Sequence, residues 1–156
     1  MKRLGLIALS LIPIPLGLLT DHLMMNYNWF GFPLFLIGIV FYIFWFFMGY
    51  ISVNWTLSMR ETILYSHSVA ILCAALIVGQ LIILERFTQG LLGLIPQMYF
   101  LPMITPVSLL IRNVFFFISP FRIEHFIIPA FLMMLGIYIF GYWIKAQQLK
   151  LQNREV

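Results

Sequence analysis

From Leu23 to Met59 the chain runs for 37 residues without one Asp, Glu, Lys or Arg. A soluble helix or sheet needs a polar face toward water, and this stretch offers none. Within it, Phe32 to Val53 supplies 22 residues, where crossing a bilayer as a helix takes about 20. Asn26, Tyr27, Asn28 and Trp29 precede that run, and Tyr50 and Trp55 close it. Aromatic and amide groups at both ends match the chemistry of the two membrane–water interfaces. The sequence therefore predicts a transmembrane helix here, and the rest of the chain must be read in the same solvent.

Composition agrees. Hydrophobic residues make up 63% of the chain and charged residues 9%, against roughly 45–50% and about 25% in soluble domains. The nine basic residues, Lys2, Arg3, Arg60, Arg86, Arg112, Arg122, Lys145, Lys150 and Arg154, punctuate apolar stretches and form no basic patch. That excludes nucleic acid as a partner. Cys73 is the single cysteine and has no intramolecular disulfide partner.

Further spans follow from the same rule. Lys2 and Arg3 precede an apolar run over 4–20, which resembles a signal peptide but lacks small residues at a cleavage position, so a retained first span is expected. Pro13 and Pro15 should kink it and leave carbonyls for a neighbouring helix or water to satisfy. Ser58 and Glu61 have capping-box spacing and open a third span over 62–84. The last span covers 126–144, with Pro129 expected in its first turn, aromatic anchors at Tyr138, Tyr142 and Trp143, and a polar tail over 145–156.

Between them lies 87–121, interrupted by Pro96, Pro102, Pro106 and Pro120. The positive-inside rule ranks the arrangements. Four spans with a non-crossing 87–121 put six basic residues inside and three outside; five spans give five to four; six give seven to two. Six spans require two crossings from 35 residues that contain four prolines. The expected fold is thus an all-α integral membrane protein forming a single domain. It is a bundle of four transmembrane helices plus a proline-broken re-entrant or interfacial segment, with five or six spans as alternatives. The expected location is the cell membrane, multi-pass, with amino and carboxyl termini cytoplasmic.

Helix-packing faces are legible as spacing. Ser66, Ala70, Cys73, Ile77 and Gln80 recur at four, three, four and three, which is one helical face. Gly38, Tyr42, Trp45 and Gly49 repeat the pattern on the second span. Small and weakly polar residues let helices approach closely in lipid, and Gln80 can hydrogen-bond across the contact.

Candidate chemistry is sparse. In the four-span arrangement Asp21, His22, Glu85, Arg86, Arg112, Glu124 and His125 collect on one side as candidates for a ligand or ion. Their adjacent pairs do not converge on a common ion, and no H-x-x-x-H, H-E-x-x-H or C-x-x-C motif occurs, so no metal or cofactor is expected. His67 lies about one turn inside the third span, expected to hydrogen-bond a neighbouring helix or to snorkel to the interface. Gln97, beside Pro96, is expected either to line a small cavity or to cap backbone freed by that proline. No catalytic residue set emerges. The expectation is a non-enzymatic accessory, assembly or regulatory membrane component whose partners are the lipid bilayer and another membrane protein or itself. A small oligomeric transporter or channel is the alternative, and an intramembrane enzyme using the carboxylates and histidines a second one.

Overall fold

The computed structural model describes residues 2–27, 31–55, 58–84, 90–114 and 124–152. They form six helices and, among the described residues, no strand: α1 (Lys2–Ser10), α2 (Pro13–Tyr27), α3 (Phe32–Ser52), α4 (Met59–Leu84), α5 (Leu91–Val114) and α6 (Glu124–Gln152). Taking α1 and α2 as one kinked unit, five helices are long and apolar enough to cross a membrane. Leu36, Ile43, Phe47, Leu72, Ile82 and Phe140 point outward, as helices solvated by lipid tails require.

The kink between α1 and α2 sits where the sequence places it, but its backbone accounting is local. A proline removes the bond to the carbonyl four residues earlier, so Pro13 frees Leu9 and Pro15 frees Leu11. The Ile12 amide donates to the Leu9 carbonyl at 3.2 Å, and the Ile14 amide to that of Leu11 at 3.0 Å. Two tighter i→i+3 bonds thus replace the missing ones. No neighbouring helix is needed, contrary to expectation.

The segment expected to be broken departs further. Helix α5 continues through Pro96, Pro102 and Pro106. Gly90, at φ 107, starts it in a conformation that suits glycine. The three prolines free the carbonyls of Leu92, Met98 and Pro102. Each faces a neighbouring helix at a position able to receive it. The Gln80 side-chain amide of α4 donates to Leu92 at 2.9 Å. The Met98 carbonyl lies against Gly17 of α2, where any Cβ would overlap it. The Pro102 carbonyl lies against Gly38 of α3, within 2.7 Å of where a Cβ would stand. Close Cα–H···O approaches of this kind recur at helix–helix interfaces. The prolines leave a continuous helix because α2, α3 and α4 accept what they release. The cap at Leu92 comes from Gln80, and not from Gln97.

Named contacts fix the helix directions. Arg3 pairs with Glu61 at 2.9 Å, and Gly17 meets Met98 farther along, so the first helical unit runs with α4. Helix α5 opposes α4, since Gln80 near the end of α4 reaches Leu92 at the start of α5 while Cys73 and Tyr99 share the core farther along. Helix α6 runs with α3: Tyr42 meets Met133, Phe46 meets Phe140 and Tyr50 meets Gln148. Helices α3, α5 and α6 therefore share one direction. Consecutive α5 and α6 being parallel, Val114 and Glu124 lie toward opposite ends of the bundle, and 115–123 fall outside the described residues. The start of α1 and the end of α6 meet at one end. Helix α6 continues through Lys145 to Gln152 rather than stopping at the polar tail, because Ala, Gln, Leu and Lys are all good helix formers.

The most extensive seam joins α3 and α6. Gly49 abuts the Tyr138 carbonyl, and Gly141 abuts that of Phe46, so each helix supplies one glycine to the other's backbone. Behind this seam sit Trp45, Tyr138, Tyr99 and Phe100, all fully buried. Between lipid-solvated helices the gain comes from such packing rather than from area withdrawn from water.

Replacing Gly17 or Gly38 by Ala should lower stability by about 1–3 kcal/mol through overpacking against α5. Gly79→Ala, where a Cβ would meet nothing within 4 Å, should be neutral or stabilising. Thermal unfolding midpoints in mild detergent read the difference, and equal midpoints for Gly17→Ala and Gly79→Ala would contradict the carbonyl–glycine contacts.

Candidate functional site

Polar side chains gather inside the bundle where α3, α4 and α6 meet. Ser58 starts α4, its hydroxyl accepting from the Glu61 amide at 3.2 Å. Glu61 does not complete the reciprocal half of the capping box; its carboxylate is held by Arg3. From this start, Thr62 and Ser66 fall four residues apart on the inward face, with His67 beside them, all fully buried. Opposite stand Ser52 of α3 and Tyr138 of α6.

The hydrogen bonds form a short relay. The Tyr138 hydroxyl donates to Ser52 Oγ at 2.8 Å, and Ser52 Oγ donates to the Gly49 carbonyl at 2.8 Å. The Thr62 carbonyl lies 3.5 Å from the Tyr138 hydroxyl. On the other flank, His67 Nδ1 lies 2.8 Å from Ser66 Oγ and 3.2 Å from the Ile63 carbonyl. Aromatic rings enclose the imidazole. Trp45 stacks on it at 5.0 Å between centroids, and Tyr138 meets it edge-on at 4.8 Å. Phe131 closes a third side at 6.2 Å.

Two groups in this box are left over. Trp45 Nε1 and His67 Nε2 are buried without a hydrogen-bond partner among the described residues. The indole can only donate, whereas Nε2 donates or accepts according to tautomer. Orphaned polar groups at depth are costly, and here two lie in one stacked pair. His67 Nδ1 is engaged by the Ser66 hydroxyl and the Ile63 carbonyl of its own helix, and the Ser52 hydroxyl accepts from Tyr138. The arrangement is a specifying polar contact between three helices with one unsatisfied edge.

The candidates read from sequence distribute unevenly. Asp21 and His22 lie near the end of α2, and the His22 carbonyl and Nδ1 are both contacted by Asn26 Nδ2, at 2.9 and 3.0 Å. Glu124 and His125 open α6 at that same end of the bundle, on backbone placement alone. Glu85 and Arg86 fall outside the described residues. Arg112 is in the last turn of α5, toward the opposite end, so the structure does not bring it to Asp21 and His22. Among the described residues, no three His, Cys, Asp or Glu side chains are grouped to hold a metal ion.

On the packing faces, Ser66, Ala70, Cys73, Ile77 and Gln80 form one buried stripe of α4, and Gly38, Tyr42, Trp45 and Gly49 are buried on α3. Tyr138, expected at the interface with Tyr142 and Trp143, is fully buried instead, while Trp143 is exposed. Its hydroxyl has Ser52 to bond, which removes the reason to seek water. The sequence signals that were available are the i, i+4 pair Thr62 and Ser66, and Ser52 three residues after Gly49. Compared with protein-family models, curated proteins and solved structures, the chain matches none.

Tyr138→Phe and Ser52→Ala should each cost about 0.6 kcal/mol and at most about 1.7, the average and the maximum found for hydrogen bonds between helices in lipid. Their effects should be non-additive, because both remove one bond. A double-mutant cycle on unfolding free energy in detergent checks this, and full additivity would mean the bond contributes nothing.

Proposed function

We propose that this chain is a multi-pass cell-membrane protein of even crossing number, with both termini cytoplasmic. The carrying observation is that α5 and α6 run parallel, which sets the start of α1 and the end of α6 at one end. That end carries Lys2, Arg3, Arg60, Arg112, Lys145 and Lys150, and among the described residues no Lys or Arg lies at the other. A bias of this sign marks the cytoplasmic side under the positive-inside rule. Topology reporters fused after Gly90, after Asn113 and after Gln152 should read external, cytoplasmic and cytoplasmic. An external signal after Asn113 would rule out the crossing of α5.

Its role, in this reading, is that of a non-enzymatic accessory or assembly component acting by lateral contact with another membrane protein. Support comes from where the polar groups go. Gln80 caps α5, Tyr138 and Ser52 bond each other, and Arg3 and Glu61 pair. The lateral surface beyond these pairs is largely apolar. On the outer side of the α3–α6 seam, Phe46, Phe140 and Trp143 form a run of ring contacts with centroids 6.0 and 6.4 Å apart. Phe140 and Trp143 are both more than half exposed. Purification in mild detergent should recover one stoichiometric membrane partner, lost on Phe140→Ala with Trp143→Ala. Recovery of the chain alone, or retention of the partner by that variant, would refute the role.

A transporter or channel is the second reading, favoured by the unsatisfied Trp45 Nε1 and His67 Nε2. Solute flux in vesicles reconstituted with the purified chain alone would select it.

A further inference from the structure

We propose that two copies of this chain pair through the outer face of α5, in parallel, along Leu94, Gln97, Leu101, Ile104 and Ser108. These residues recur at three, four, three and four, the core spacing of two helices wound together. Leu94 is exposed and the other four are half-buried, so this stripe faces away from the bundle interior. Thr105 flanks it and is half-buried too. Pro96, Pro102 and Pro106 are buried on the opposite side of the helix, where they meet the neighbours already described.

Two polar side chains on this face call for another helix. Gln97 stands six residues from the start of the apolar run Leu91–Ile111, and Thr105 six from its end. Each is then about 9 Å in from an end of that run at the helical rise. Neither the Gln97 amide nor the Thr105 hydroxyl has a hydrogen-bond partner among the described residues. Ser108, by contrast, donates to the Thr105 carbonyl at 2.8 Å, and Gln80 of α4 is taken by Leu92. Acyl chains offer an amide nothing to bond, whereas a second helix does.

Self-complementarity selects the occupant. Copies inserted in one bilayer share an orientation, so a twofold axis along the membrane normal sets α5 parallel to its counterpart. Each residue of the stripe then meets itself at the same level. A glutamine amide both donates and accepts, and so does a threonine hydroxyl, so each satisfies its own copy. An unlike helix would need matching groups at both levels, eight residues apart. Leu101 and Ile104 fill the space between those levels with hydrocarbon. No Asp, Glu, Lys or Arg occurs over 91–111 to oppose its like across the axis. The contact uses a different helix from the face that carries Phe140 and Trp143, so it stands or falls independently of that partner.

The test uses the full chain in phosphatidylcholine vesicles. Cys73 is buried and stays in place. Under oxidation Leu101→Cys should form a disulfide-linked dimer, whereas the unsubstituted chain and Leu72→Cys, on an exposed position of α4, should not. Energy transfer between labelled copies across a lipid-dilution series gives the association constant. Gln97→Leu with Thr105→Val should weaken it about sevenfold, the equivalent of two contacts at the bilayer average of about 0.6 kcal/mol. The thermal midpoint of the monomer in detergent should be the same for that variant, because neither side chain serves its own bundle. Monomer at every dilution, equal cross-linking of Leu72→Cys, undiminished pairing of the double variant, a cross-linked partner other than a second copy, or a lowered midpoint would each overturn the proposal.

Discussion

Everything in this bundle answers to one constraint: backbone carbonyls released inside hydrocarbon must be received by protein. Helix α5 releases three, from Leu92, Met98 and Pro102, and each points at a different neighbour. Gln80 receives the first through its amide, and Gly17 and Gly38 come close to the second and third. The prolines therefore do more than bend a helix. They set which residue on α2, α3 and α4 must lie at which level, and so they set the register of the whole assembly around α5.

The two proline clusters show that the same chemistry has two solutions. In the first helical unit, Pro13 and Pro15 are two residues apart, and the freed carbonyls of Leu9 and Leu11 are retaken by Ile12 and Ile14. That solution tightens the backbone and breaks the helix into α1 and α2. In α5 the prolines stand six and four residues apart, leaving room for regular bonds between them. The helix persists, and the free acceptors turn outward to its neighbours. Spacing decides between a kink closed on itself and a continuous helix that depends on others.

This explains what sequence could and could not convey. Periodicity and length make α3, α4 and α6 legible, because twenty apolar residues have one good solution in lipid. The stripe from Ser66 to Gln80 was legible too, since spacing of three and four names a face without naming its partner. The continuity of α5 was not. Its signal lies in Gln80, Gly17 and Gly38, on three other helices, and each of these looks ordinary until Leu92, Met98 and Pro102 are placed against it. Tyr138 misled for a related reason. A tyrosine near a helix end usually faces the interface, and only the position of Ser52, 86 residues away, gives its hydroxyl an alternative.

The direction of α5 carries the remaining consequences. Once Gln80 meets Leu92, α5 must descend alongside α3, and α6 descends beside them through the Gly49 and Gly141 contacts. Arg112 is then carried away from Asp21 and His22, which dissolves the single polar face that a four-helix count assembles from the sequence. The same geometry commits α2 to α5 through Gly17, so that α2 cannot also close on α3. Seating a proline-rich helix where three neighbours can receive its carbonyls thus leaves α2 and α3 in little contact and carries Arg112 to the end that holds Arg3, Arg60, Lys145 and Lys150.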